Sequence, residues 1–135
     1  MKKVLIFTYS TNQGGSELNA YKIVKLSKKI NFDWLVLNSA NSDLTNKIKK
    51  CDNLRNYFSL YFSGIFSFQF FKCIYSLFNI LKQNDYQTIY AVGFIPGLLI
   101  SIIKPFFPFR FISTRRERMS WAKLYHYPFI YFVNF

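Results

Sequence analysis

Acidic residues are scarce in this chain, with six Asp and Glu against 18 Lys and Arg and a formal net charge of +12. The acids are Glu17, Asp33, Asp43, Asp52, Asp85 and Glu117. No two of them have a spacing that places both carboxylates on one face, so a hydrolase that works through a carboxylate pair is not predicted. The excess of positive charge is typical of proteins with anionic partners, such as nucleotides, nucleic acid or acidic lipid. A biased, AT-rich coding sequence accounts for it equally well.

Cysteine and histidine are also rare. Cys51 and Cys73 form no C-x-x-C pair and have no histidine at ligand spacing, so we expect two inert thiols and no metal site. The single histidine, His126, stands among aromatic residues and is expected to be packed or exposed rather than catalytic. The apolar run that starts at Val4 ends at Thr8, which is too short for a secretory signal.

Short apolar runs rich in branched and aromatic residues alternate with segments of helical period along the chain. The predicted strands span residues 4–9, 33–38, 54–60, 88–93 and 109–113, and the predicted helices 16–30, 43–50, 66–83 and 119–135. A further predicted helix has Pro96 in its first turn and runs to about Ile103. This alternation predicts one α/β domain, a Rossmann-like parallel sheet with helices on both faces. The chain stops inside the last predicted helix, so the fold is expected to be incomplete at the C-terminus.

The segment Gly14-Gly15-Ser16-Glu17 lies between the first predicted strand and the first predicted helix. Glycines at a helix N-terminus let a bound anion approach the backbone N–H groups and the positive end of the helix dipole. Ser16 is predicted to cap the helix, with Glu17 in its first turn. The loop has neither the G-K-[S/T] of a P-loop nor G-x-G-x-x-G. A tight turn without any ligand is the alternative interpretation.

The stretch "VLIFTYSTNQGGSELNAYKIVKLSKKI" resembles the N-terminus of family 4 retaining glycosyltransferases, which open with a strand, a Gly-Gly-x-Glu loop and an amphipathic helix. Such enzymes have the GT-B arrangement, in which two Rossmann-like domains face each other across a cleft. The resemblance implies that residues 1–135 form the N-terminal, acceptor-side domain. It also implies that the C-terminal, donor-binding domain is absent and that the chain alone is inactive.

The resemblance assigns roles to particular residues. Gly14, Gly15 and Ser16 would bind the donor diphosphate, and Glu17 would contact the acceptor. Where many relatives carry a histidine after the last strand this chain has Arg115, so Arg115 and Arg116 are expected to bind the acceptor. Many relatives also carry His-x-His-Gly at the fourth strand's end, where this chain has Tyr-Ala-Val-Gly at residues 90–93. Catalytic residues stay unidentified.

The resemblance further implies a nucleotide-sugar donor as substrate, no cofactor, and a saccharide or lipid-linked acceptor in cell-surface polysaccharide or glycolipid synthesis. We expect the protein in the cytoplasm, peripheral on the inner face of the plasma membrane. An anionic membrane surface would be contacted by the helix at 119–135 and the arginines Arg115, Arg116 and Arg118. Nucleic acid is not an expected partner, because no nucleic-acid-binding signature is present.

A small integral membrane protein is the alternative, since residues 57–81 and 86–112 are long and apolar. Lys104 and Arg110 bring the free energy of insertion of the second segment to about break-even. The prolines Pro96, Pro105 and Pro108 disfavour a continuous spanning helix there and suit the ends of strands and helices in a globular domain.

Overall fold

The computed structural model describes residues 2–11, 14–39 and 41–114. In this part of the chain, strands and helices alternate from end to end. The strands are β1 (Lys3–Thr8), β2 (Asn31–Leu37), β3 (Leu54–Leu60), β4 (Thr88–Val92) and β5 (Arg110–Thr114). The helices are α1 (Gly15–Leu26), α2 (Asp43–Lys49), α3 (Phe68–Gln83) and α4 (Phe94–Ile103), followed by a 3-10 turn at Lys104–Phe106. The helix predicted at 119–135 lies outside the described residues.

All five strands pair in parallel, in the order β3-β2-β1-β4-β5. The first three strands extend the sheet in one direction, and the chain then crosses back so that β4 lies against the other side of β1. These five strands follow the Rossmann order 3-2-1-4-5, which confirms the predicted fold class.

The sheet separates two apolar cores, because successive side chains of a strand point to opposite faces. Ile6 packs with α1 and α2 on one face, and Leu5 and Phe7 pack with α3 and α4 on the other. The central strands β1 and β2 are buried on both faces, which explains why their sequences are nearly continuous apolar runs. Helices therefore cover both faces, as predicted.

The first helix ends at Leu26, four residues before the predicted end. The side-chain amide of Asn53 donates to the carbonyl oxygens of Val24 and Ser27 at 2.6 and 3.0 Å. These bonds satisfy carbonyl groups that the helix leaves unpaired at its C-terminus. Asn53 lies directly before β3, far from α1 in sequence, so local periodicity could not reveal its role.

One carboxylate lies inside the core at the amino edge of the sheet. Asp33 on β2 is fully buried, and its Oδ2 accepts from the Tyr86 hydroxyl at 2.5 Å and lies 3.6 Å from the Lys3 ammonium. Its Oδ1 accepts from the backbone and side-chain N–H groups of Asn56, both at 3.2 Å. The network joins residues from β1, β2, β3 and the segment before β4, so it fixes that edge of the sheet.

The two segments that the alternative interpretation treats as membrane spans form strands and helices of this domain. Residues 57–81 include parts of β3 and α3, and residues 86–112 include β4, α4 and most of β5. Among the described residues, no helix is both long and apolar enough to cross a membrane. The structure does not favour the integral membrane alternative.

Candidate functional site

The candidate site lies at the carboxyl edge of the sheet, between β1 and β4. From this point the chain leaves β1 for α1 on one face and β4 for α4 on the other. In open α/β sheets, ligands bind outside the carboxyl ends of the strands where the strand order reverses. The two loops that follow β1 and β4 are therefore the first places to look for functional groups.

The loop after β1 leads directly into α1. Gly14, with extended backbone angles, is the N-cap residue, and its carbonyl accepts from the Leu18 N–H at 3.1 Å. The prediction that Ser16 caps the helix is wrong, because the helix begins at Gly15 and Ser16 lies inside its first turn. Glycine at the N-cap has no side chain that could bond to the first-turn N–H groups, so these groups and the dipole's positive end are available to an anion.

The two adjacent glycines have different surroundings. A Cβ atom at Gly14 would collide with the carboxylate of Glu17, which folds back over that residue. Apart from its chain neighbours and the helix's own backbone, a Cβ atom at Gly15 would have no heavy atom of the described residues within 4 Å. An anion bound at this loop would therefore approach from the open side at Gly15, away from the negative charge of Glu17.

Hydrogen bonds anchor the beginning of this loop to α2. The buried Thr11 hydroxyl lies 2.7 Å from the Thr45 hydroxyl, and the Ser42 hydroxyl donates to the Thr11 carbonyl at 2.8 Å. Ser42 is also the N-cap of α2 and accepts from the Thr45 N–H at 3.2 Å. Sequence reasoning missed these positioning residues, although a serine directly before Asp43 is a recognisable helix-start signal.

The loop after β4 turns sharply at Gly93. Its φ of 94° and ψ of 176° are essentially restricted to glycine. Gly93 donates to the Thr114 carbonyl at 3.2 Å and accepts from the Gly97 N–H at 3.3 Å. The turn starts α4 at Phe94, so Pro96 lies in the first turn of this helix, as predicted. The N-termini of α1 and α4 therefore follow the two strands on either side of the point where the strand order reverses.

An open cleft of about 360 Å³ lies between α1 and the ends of β4 and β5. Its lining residues are Ser16, Asn19, Lys22, Ile23, Leu26, Tyr90 and Thr114. Ile23 shares the helical spacing of the buried residues Ala20 and Val24, but it is 41% exposed. Ile23 lines the cleft. Ser16 and Lys22 offer the cleft a hydroxyl and an ammonium group.

The predicted acceptor-binding residues are only partly visible. Glu17 lies in the first turn of α1, where its carboxylate covers Gly14. Arg115 and Arg116 lie outside the described residues, as do Arg118 and His126. Thr114, the last described residue, lines the same cleft as Ser16. The roles of Gly14, Gly15, Ser16, Glu17, Arg115 and Arg116 stay predictions.

A second groove, of about 600 Å³, opens at the opposite edge of the sheet. Its charged lining residues are Lys25, Lys28, Lys47, Lys50, Arg55 and Asp52. Most of these lysines lie at the C-terminal ends of α1 and α2, where positive charge stabilises a helix through its dipole. The groove lies at the amino ends of the strands, so we do not place the ligand site there.

Neither thiol is suited to nucleophilic chemistry. Burial raises the pKa of Cys73 to about 11. Burial, with the neighbouring charge of Asp52, also raises the pKa of Cys51, although Lys25 opposes the shift. Both thiols are therefore protonated near neutral pH. Within the part of the chain that the structure describes, no three His, Cys, Asp or Glu residues converge on a point where they could hold a metal ion.

Comparison with known proteins gives a structural match without a sequence match. No protein-family model matches the sequence, and no curated protein matches it. Among the solved structures that match is MurG of Acinetobacter baumannii, a GT-B glycosyltransferase, with a TM-score of 0.64 and 14% sequence identity. The match covers 84% of this chain and 34% of the MurG chain, so this chain corresponds to about a third of MurG's length. The chain thus has the Rossmann-like α/β fold found in a GT-B glycosyltransferase, and at this identity the likeness establishes the fold alone.

Proposed function

We propose that the chain is the acceptor-side domain of a family 4 retaining glycosyltransferase. The reaction would move a sugar from a nucleotide-sugar donor to a saccharide or lipid-linked acceptor in cell-surface polysaccharide or glycolipid synthesis. The observation that carries the proposal is the position of Gly14-Gly15-Ser16-Glu17. This motif begins the helix that follows β1, next to the point where the strand order reverses, in a fold shared with a GT-B glycosyltransferase.

The proposed role of the loop is to bind the donor diphosphate. Uncapped N–H groups in the first turn of α1 would donate to phosphate oxygens, with the open side of Gly15 allowing close approach. Lys22, which lies further along α1 and lines the same cleft, would add positive charge. When the bond between the sugar and the diphosphate breaks, negative charge grows on the leaving phosphate, and oriented N–H dipoles stabilise that charge. No metal ion is needed for this role.

The acceptor would lie beside the same loop. The Glu17 carboxylate can accept a hydrogen bond from a sugar hydroxyl, and Arg115 and Arg116 would bind an acidic or phosphorylated part of the acceptor. In the GT-B arrangement the reacting groups lie between two domains. We therefore propose that sugar transfer requires a second Rossmann-like domain in addition to residues 1–135, and that these residues alone do not catalyse it. A lipid-linked acceptor would place the protein on the inner face of the plasma membrane.

Replacement of Gly15 by Val tests the loop assignment. The new side chain enters open space, so the fold should be retained, but it covers the N-terminus of α1 where the diphosphate would lie. We expect affinity for UDP- or GDP-sugars, measured by calorimetric titration, to fall about tenfold or more, a change of roughly 1.4 kcal/mol.

Lys47→Val is the matched control, since it puts the same side chain on an exposed residue of another helix, near the opposite edge of the sheet. Its affinity for nucleotide sugars should equal that of the unchanged protein. Equal affinity of the Gly15→Val variant would show that the loop is not part of the donor site. No binding of any nucleotide sugar by the unchanged chain would contradict diphosphate binding by this loop.

A further inference from the structure

The groove at the amino ends of the strands carries a high concentration of positive charge. Three separate segments supply it: the end of α1, the end of α2 and the start of β3. Its cations are Lys25, Lys28, Lys47, Lys50 and Arg55. Among the described residues that line it, Asp52 is the one acid, so the five cations leave a formal excess of four positive charges. We call this groove, with its five cations, the basic groove.

Contacts within the described part of the domain do not neutralise these charges. None of the five cations forms an ion pair there, where the pair that forms is Lys3 with Asp33. The dipoles of α1 and α2 account for Lys25 and Lys47, which lie in the last turns of those helices. They do not account for Arg55, which lies on β3. A cleft lined by one sign of charge concentrates counter-ions, so the groove is suited to an anion.

Hydrogen bonds fix the walls of the basic groove relative to each other. Asn53, which also lines the groove, joins the start of β3 to the end of α1 through its bonds to the carbonyls of Val24 and Ser27. The turn that follows α2 is closed by the Cys51 N–H, which donates to the Ile48 carbonyl at 3.0 Å. The segments that carry the cations are therefore in place before a ligand arrives, which lowers the entropic cost of binding.

The size and charge of the basic groove favour a compact ligand with several phosphates. Its volume of about 600 Å³ lies within the range that is usual for small-molecule sites. Ammonium groups bind phosphate oxygens as point charges, and the guanidinium of Arg55 can bind two of them at once. The excess of four positive charges matches a triphosphate group, which carries about four negative charges near neutral pH. The ring of Tyr21 lines the same groove and offers a surface to a flat group attached to the phosphates.

We propose that the basic groove binds a small ligand that carries a triphosphate group, at a site separate from the donor site. The groove lies at the amino edge of the sheet and Gly15 at the carboxyl edge, about 20 Å away along a strand of six residues. Both sites can therefore be occupied at once. The diphosphate of a nucleotide sugar carries only about two negative charges and is the poorer match for the groove. The inference goes beyond the proposed function and does not depend on it.

Calorimetric titration of the purified 135-residue chain with inorganic triphosphate tests the proposal. The titration is made at physiological ionic strength, where the Debye length of about 8 Å screens distant charges. We expect saturable binding of one triphosphate per chain. The double variant Lys25→Gln/Lys47→Gln should lose about tenfold or more in affinity, because two of the cations that contact the ligand are removed.

Two control variants show whether the loss is local to the groove. Lys72→Gln/Lys82→Gln removes the same number of charges from exposed residues of α3, which packs on the other face of the sheet. Gly15→Val alters the start of α1 at the opposite edge. Both should bind triphosphate like the unchanged chain. Circular dichroism would verify that each variant keeps its helical content.

A titration with ATP distinguishes the two sources of a triphosphate group, the inorganic ion and a nucleotide. We expect ATP to bind several-fold more tightly than inorganic triphosphate, because the base can contact the ring of Tyr21. Tyr21→Leu should remove that difference and leave the affinity for inorganic triphosphate unchanged. Equal affinities for the two probes in the unchanged chain would show that the groove recognises the phosphates alone, which also supports the proposal.

The proposal is overturned if the unchanged chain binds neither probe saturably, or if the two double variants lose affinity equally, since the effect would then be one of net charge. A loss confined to Gly15→Val would also overturn it, because the triphosphate would then lie at the start of α1. Inorganic triphosphate contains neither sugar nor nucleoside. Failure of this test therefore leaves nucleotide-sugar binding at Gly15 standing, and an unaffected Gly15→Val variant in the nucleotide-sugar titration leaves the basic groove standing.

Discussion

Replacing Tyr86 with Phe is expected to lower the free energy of unfolding by about 2–3 kcal/mol, because the hydroxyl bonds to a buried charge. The Tyr86 hydroxyl donates to Asp33 Oδ2 at 2.5 Å, and Asp33 is completely buried. Burial, the hydrogen bond and the charge of Asp33 all raise the pKa of Tyr86, so the hydroxyl keeps its proton and remains the donor. Without it, the partner that Oδ2 retains among the described residues is the more distant Lys3 ammonium, at 3.6 Å.

Urea unfolding measures this change, with Tyr61→Phe as its control. Tyr61 is 66% exposed at the end of β3, so loss of its hydroxyl should alter stability by less than about 0.5 kcal/mol. A Tyr86→Phe variant as stable as the Tyr61→Phe variant would show that the carboxylate is not held as the structure indicates. Since Asp33 lies at the amino edge of the sheet, neither variant should alter nucleotide-sugar affinity.

Replacing Gly93 with Ala is expected to cost about 2 kcal/mol of stability, since any side chain is strained at this backbone conformation. With φ at 94° and ψ at 176°, Gly93 turns the chain from β4 into α4. Relief of the strain would rotate the turn and disturb the bonds from Gly93 to Thr114 and from Gly97 to Gly93. We therefore expect the first turn of α4 to shift as well.

Gly15→Ala is the matched control for Gly93→Ala. Gly15 has no positive φ, and its new Cβ atom would enter open space, so thermal or urea unfolding should give nearly unchanged stability. Equal stability of the two variants would contradict the requirement for glycine at residue 93. Hydrogen exchange of the α4 amides would show whether the loss is concentrated in that helix.

Much of the fold could be predicted from the sequence because each element carries its own local signal. The third strand was placed at residues 54–60, as observed, and α2 was placed within one residue of its true end. Errors arose where a distant residue or an unusual backbone angle decides a boundary. Asn53 bonds to carbonyl groups at the end of α1, four residues before the predicted end of that helix. Gly93 ends β4 one residue earlier than predicted, through a conformation that apolar periodicity does not report.

The candidate site was predictable in part for the same reason. A strand, a Gly-Gly loop and a helix follow one another in the sequence, and this succession predicts that residues 14–17 begin α1. In a parallel sheet, the loop that leaves β1 lies at the carboxyl edge. The cleft depends on how α1 lies over β4 and β5. The local sequence pattern therefore could not predict that Asn19 and Thr114 line it.

The central claim is that a nucleotide sugar binds at the carboxyl edge of the sheet, at the start of α1. Amide chemical shifts of the labelled chain, followed by NMR during titration with UDP- and GDP-sugars, test it directly because they also detect weak binding. The account predicts that the largest changes occur at Gly15, Ser16 and Glu17, with smaller ones at Lys22 and Thr114. Changes centred instead on Lys25, Lys47 and Arg55 would place the anion in the basic groove at the opposite edge and contradict the account.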